Sequence, residues 1–236
     1  MSAHELTPDR LEFLRTGDLA VEGRMPWSSN ATFLVNVQVE GHNHKAIYKP
    51  VRGERPLWDF EPGLHRRERA AFLLSEHLGL GVVPPTIIRE GPFGEGSLQW
   101  FVEADHREHY FTIFEKRPDL HDQLRALALF DLVANNTDRK SGHCLLAEDR
   151  VWAIDHGLCF AAPWKLRTVI WEFGGEEIPE ALLEPVRRLA QAVPLDLAAM
   201  LDDGEVAALG DRAAALLERP TYPVDETGGR YPWPLV

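Results

Sequence analysis

Two polar clusters carry the densest chemistry in the sequence. The first holds Asn136, Thr137, Asp138, Arg139, Lys140 and His143, directly after an apolar helical run; the second is Asp155 with His156, straight after Val151, Trp152, Ala153 and Ile154. A carboxylate at a helix end and another at a strand end can divide the work of phosphoryl transfer, one positioning a hydroxyl and the other holding magnesium. Lys49 follows the apolar Ala46, Ile47 and Tyr48, and a lysine there needs a partner if its head is buried. Glu68 is a candidate partner, because a strand lysine paired to a helix glutamate can orient nucleotide phosphates. Ser28, Ser29, Asn30, Ala31 and Thr32 bring small polar side chains to the start of a strand, where hydroxyls and N–H groups can cradle phosphate oxygens, although no glycine lets the backbone come close. Each fragment alone also has a plainer reading: a local ion pair at Asp138 and Arg139, a turn at Asp155, a snorkelling Lys49.

The elements that must position these groups are legible from periodicity. Alternation from Phe33 predicts a strand, Gly41, His42 and Asn43 a turn, and Lys45 through Lys49 a second strand that Pro50 ends. Helical spacing of Ala70, Leu73, Leu74 and Leu78 predicts an amphipathic helix from His65, stopped by Gly79. Short strands are expected at 86–89 and 97–103 with a glycine-rich turn between them, then a helix over 124–134 and a second hairpin across Glu148 and Asp149. From Glu180 helices alternate with proline breaks, and the segment from Arg219 onward reads as a loose tail. The residues ahead of Phe33 read as a polar segment. The order is a small sheet carrying one helix, then a mainly helical half with a hairpin on it. We expect an α+β fold divided near Glu103 into an N-terminal lobe, 1–103, and a C-terminal lobe, 104–236, with the chemistry between them.

Composition bounds the classes. At 236 residues, 44% hydrophobic and 26% charged, the chain can bury a sizeable core. A net charge of -12 opposes a phosphate-tracking nucleic-acid surface and standing attachment to anionic membranes. Arg66, Arg67 and Arg69 read as a solvated helix face. Two cysteines are too few for a disulfide scaffold and are expected as small buried hydrophobes. No run suits a membrane span, and Met1 through Glu5 lack the features of a secretory signal, so a cytoplasmic location is expected.

The order of the fragments resembles the type II phosphatidylinositol 4-kinases and their plant relatives, within the phosphatidylinositol 3-/4-kinase-like superfamily. Ser28 through Phe33 look like the family's serine-rich phosphate loop, and Ile47, Tyr48, Lys49 and Pro50 like its lysine strand. Arg67, Glu68, Arg69, Ala70 and Ala71 are similar to the helix whose glutamate pairs with that lysine. Val83, Pro84, Pro85 and Thr86, then the run from Gly96 to Val102, resemble the strands leading to the adenine-binding hinge. Asn136, Thr137, Asp138 and Arg139 resemble the catalytic loop, and Ile154 through Cys159 the metal-binding segment. The resemblance runs from about Trp27 to Phe173 and implies a two-lobed protein-kinase-like fold binding ATP with magnesium or manganese. It assigns Asp138 to the acceptor hydroxyl, Asp155 to metal, Lys49 to the phosphates, Glu68 to fixing Lys49, and Phe101, Val102 and Glu103 to adenine. Where the family has an asparagine as second metal ligand stands His143, which suits manganese better than magnesium. Lys140 replaces a histidine of the plant relatives and can neutralise charge on the transferring phosphate.

The leading expectation is a kinase acting on an unidentified protein, lipid or small molecule, with residues 164–173 as the first place for acceptor contacts. His143 and the glycine-free loop support an alternative, an ATP-binding pseudokinase serving as nucleotide sensor or scaffold. A third arrangement gathers Asp138, His143, Asp155 and His156 as a transition-metal hydrolase site.

Overall fold

The computed structural model describes residues 3–26, 28, 30–57 and 60–235, with side chains in the first helix described from Asp9 onward. The chain opens with helix α1 (Ala3–Thr16) and strand β1 (Asp18–Arg24), followed by β2 (Phe33–Val39), β3 (His42–Pro50), helix α2 (Leu64–His77), β4 (Thr86–Gly91) and β5 (Gly94–Trp100). The five strands form one antiparallel sheet in the order β1-β2-β3-β5-β4. Leu14 of α1 packs with Val35, Val37, Ala46, Tyr48, Ile87 and Leu98 in a core on one face of the sheet. The two-residue period of a strand therefore directs Ile47 and Lys49 of β3 to the other face.

Two expectations are corrected here. The segment ahead of Phe33 holds α1 and β1; β1 is an edge strand exposed along most of its length, so it lacks the apolar alternation that would mark it. At Gly17, between α1 and β1, an added Cβ would stand 2.4 Å from Val37 Cγ1, and glycine permits that close turn. His42 and Asn43 belong to β3, opposite Val39 and Gln38. The hairpin turns on Glu40 and Gly41, both at positive φ (47° and 83°), the geometry that matches strand twist in a two-residue connection.

Helix α2 is buried on most sides, which corrects the reading of its arginines. Only Arg66 is exposed, and it donates to the Ala199 carbonyl (2.6 Å). Arg67 is buried and its Nε donates to Glu205 Oε1 at 2.9 Å, while Arg69 donates to the Thr86 carbonyl. Glycine precedes α2 without a side-chain cap, and Glu54 caps it from the preceding loop. Its carboxylate accepts from the N–H groups of Gly63 (3.0 Å) and His65 (2.9 Å) and pairs with His65 Nδ1 (2.9 Å).

The second half contains α3 (Tyr110–Lys116), α4 (His121–Ala134), the hairpin β6 (Cys144–Ala147) and β7 (Arg150–Ala153), then α5 (Glu180–Gln191), α6 (Leu195–Ala198) and α7 (Asp203–Glu218). The hairpin turns on Glu148 and Asp149 as expected, again with both at positive φ. The larger core joins the apolar residues of α2 to those of α4, α5 and α7. The expected α+β arrangement is thus formed, and α2 touches both halves. Both cysteines are free and buried, and among the described residues no helix is long and apolar enough to cross a membrane.

Candidate active site

Lys49 is the meeting point of three distant stretches of chain. Its Nζ pairs with Glu68 of α2 and with Asp155 Oδ1 at 2.9 Å, just beyond β7. Glu68 is 3% exposed at its side chain, and its second oxygen accepts the His156 N–H at 3.2 Å, so α2 is tied to the Asp155 segment as well as to β3. Burial disfavours the lysine cation, but the Asp155 and Glu68 carboxylates outweigh it and hold the pKa above the ordinary lysine value. The same lysine, against the effect of desolvation, holds the Asp155 carboxyl well below the usual range. Asp155 sits at φ 62°, an uncommon conformation for a residue with a Cβ. Its side chain remains 52% exposed.

The loop after α4 is built on a buried ion pair that the sequence reading missed. Asn135 ends the helix in the left-handed conformation (φ 48°). Asp131, one turn back, accepts from Asn136 Nδ2 (2.8 Å), from Arg139 Nη2 (2.9 Å) and from Thr168 Oγ1 (3.1 Å). Arg139, fully buried, also donates to the carbonyls of Ile154 (3.0 Å) and His143 (3.3 Å) and to His156 Nε2 (2.9 Å). One charged pair thereby fixes the backbone beside Asp138, His143 and Asp155 together. The available signal was Asp131 itself, a carboxylate inside the apolar run Phe130, Leu132, Val133, where an unpaired charge would be costly.

Asp138 pairs with Lys140 (Oδ2 to Nζ, 3.0 Å) and takes the Asn136 side-chain oxygen on its own N–H (3.0 Å). Burial raises its pKa, and Lys140 works against that rise. His143 Nδ1 lies 3.0 Å from the Asp138 carbonyl and 3.5 Å from the Lys140 N–H, and its Nε2 faces Asp155 Oδ2 at 3.5 Å. Burial pushes its pKa down to about 4, so the imidazole is neutral. An imidazole nitrogen and a carboxylate facing each other across this gap are the residues that could hold a divalent ion, with manganese better suited than magnesium. Among the described residues no group of three or more His, Cys, Asp and Glu side chains gathers as a metal cage. The hydrolase arrangement is therefore corrected: His156 turns to Arg139 and Asp138 to Lys140.

The remaining expected residues lie apart from this cluster. Ser28, Asn30, Ala31 and Thr32 sit in the connection between β1 and β2; Ser29 and Trp27 lie outside the described residues. Ser28 Oγ and Thr32 Oγ1 share a hydrogen bond (2.8 Å), Asn30 accepts from the Arg55 N–H (2.9 Å), and the Ala31 N–H donates to Gly53 (3.0 Å). Phe101 leaves β5 with its N–H on the Lys45 carbonyl (3.1 Å) and its own carbonyl accepting from His44 Nε2 (3.1 Å). Val102 and Glu103 supply the next backbone groups. Lys45 and Lys49 are four residues apart on β3, so this segment and the lysine cluster stand roughly 13 Å apart along the strand. Of residues 164–173, Trp164 is 48% exposed, whereas Thr168, Val169, Ile170 and Phe173 are buried. Arg167 lies beside the loop, its carbonyl accepting from the Arg139 N–H (3.1 Å) and its N–H donating to Asn136 (2.9 Å).

No family model matches the chain. Its fold resembles that of the Golgi casein kinase with Mn/ADP bound, at a TM-score of 0.58 and 13% identity over 100% of this chain and 81% of that one. It also resembles the Helicobacter pylori proinflammatory kinase CtkA, at a TM-score of 0.50 and 10% identity over 88% of this chain and 93% of that one. The fold is therefore protein-kinase-like. Protein Rv2133c of Mycobacterium tuberculosis is 38% identical over 270 residues, an alignment spanning 98% of this chain and 97% of the relative. Identity at that level across nearly the full length of both proteins makes the chain a member of the Rv2133c family.

Proposed function

We propose that this chain is an ATP-dependent phosphotransferase working with manganese or magnesium. The observation that carries this reading is Lys49 held between Glu68 and Asp155 on a kinase-like fold. In this reading Lys49 contacts the nucleotide phosphates, and Glu68 keeps it in place. Ser28, Ser29, Asn30, Ala31 and Thr32 cover the phosphates, while the backbone at Phe101, Val102 and Glu103 meets adenine. Asp155 and His143 are the residues that would hold the ion, which would offset the charge of the transferring phosphate. Asp138 orients the acceptor hydroxyl and takes its proton, and Lys140 adds a second cation beside it. The motif order supports a phosphatidylinositol-kinase-like lineage, while the acceptor stays open between protein, lipid and small molecule.

A second reading, an ATP-binding pseudokinase, draws on His143, a neutral imidazole in the place of an oxygen ligand. Transfer of labelled phosphate from ATP separates the two. The phosphotransferase reading expects transfer or ADP release by the wild type, and an Asp138→Ala variant that binds ATP with manganese yet turns over at least about a hundredfold more slowly. Nucleotide binding without turnover in the wild type would establish the pseudokinase.

A further inference from the structure

Beyond these side chains, the loop that carries them is held from outside by residues 230–235. Ser141 is fully buried and opens the short turn that delivers His143; its N–H donates to the Leu235 carbonyl at 2.8 Å. Thr168, buried and bridged to Arg139, donates its N–H to the Arg230 carbonyl at 3.1 Å. Buried amides without an acceptor are costly, so these two carbonyls are structural requirements of the segments they reach. Both segments meet the chain just after Asp138, one at Arg139 and the other at Ser141.

We infer that residues 230–235 are a strap that positions the catalytic loop, so that turnover depends on its being closed; the inference rests on the phosphotransferase reading. The strap is lightly held. Asp225 pins its start, accepting from the Arg230 N–H at 2.8 Å and from the Thr227 hydroxyl at 2.7 Å. Tyr231 meets Trp171 edge-on (6.5 Å between ring centroids) and Pro232 is buried, whereas Trp233 is 88% exposed. A segment with few buried contacts opens at lower free energy than the core around it. Opening removes the acceptors of Ser141 and Thr168, and with them the support of the His143 turn and of the segment beside Arg139. Among the described residues no hydrogen bond or ion pair joins Lys49, Glu68 or Asp155 to the strap, so its opening reaches nucleotide binding only through the His143 turn.

The test uses the full chain carrying Asp225→Ala with Tyr231→Gly, beside the conservative Tyr231→Phe, which keeps the ring. In the double variant the Ser141 and Thr168 amides should exchange hydrogen at least about tenfold faster. The kcat should fall about tenfold and the affinity for ATP with manganese by less, and Tyr231→Phe should match the wild type in all three. Unchanged exchange, faster exchange with unchanged kcat, or equal losses of kcat and nucleotide affinity would each overturn the strap. A wild type that transfers no phosphate overturns the phosphotransferase reading by itself, and the exchange rates still decide whether residues 230–235 hold the loop.

Discussion

Asp138 shows how local charge sets what a side chain can do. Burial favours its neutral acid, and a base for a hydroxyl proton must be ionised, so the nearby Lys140 ammonium opposes the burial and keeps the carboxylate available. Activity should therefore fall on the acid side at a pH above the ordinary aspartate range. Lys140→Met removes the opposing cation, so the carboxyl holds its proton more tightly and the acid limb of kcat moves to higher pH. A limb that stays put or moves down in that variant would remove Asp138 from the role of base. The pairing of Lys49 with Glu68 was legible in the sequence because a lysine in an apolar strand demands a partner. The geometry of His143 was not, because which ring nitrogen faces Asp155 depends on the carbonyl that holds the other.

At the scale of elements, α2 touches both halves, and its first turn is secured by Glu205, remote in sequence, and by Glu54 of the preceding loop. Glu205 both closes the capping box of α7, accepting the Asp202 N–H at 3.1 Å, and pairs with Arg67 of α2. Arg67 looked like part of a solvated face because nothing local announces a partner 138 residues away. In the same turn Glu54 serves the N-terminus of α2. Burial alone would raise its pKa, but hydrogen bonds from the His65 side chain and from the backbone of His65, Gly63 and Leu64 hold it down to about 2. A carboxyl depressed on folding contributes stability that is fully present above its unfolded pKa of about 4.3 and is lost as pH falls toward the folded value. Glu54→Ala should cost about 1–2 kcal/mol near neutral pH, as for a lost helix cap, and the deficit against wild type should narrow in urea melts between pH 5 and about 2. A deficit that is flat across that window would show that Glu54 acts by packing alone. The strands β2 to β5 and the helices α2 and α4 were readable from periodicity, and the edge strand β1 was not, since exposure on both faces erases the period.

For the whole molecule, the proposed reading puts a nucleotide with its metal at the clustered charges of Lys49 and Asp155 on a kinase-like fold. What the sequence could not reveal is what joins the parts: the Asp131–Arg139 pair inside the helical half and the strap over the loop, both of which depend on chain segments meeting only after folding. The most direct measurement of the central claim is thermal unfolding with ATP, with manganese, and with both, in wild type and Asp155→Asn. At a hundredfold excess over Kd a ligand that binds only the folded state adds about 2.7 kcal/mol, on the order of 5–10 °C for a chain of this size. The wild type should show that rise only with nucleotide and metal together, and Asp155→Asn should lose it while melting as a folded protein. No rise in the wild type at saturating nucleotide and metal, or an equal rise in the variant, would contradict the assignment of this cluster to ATP.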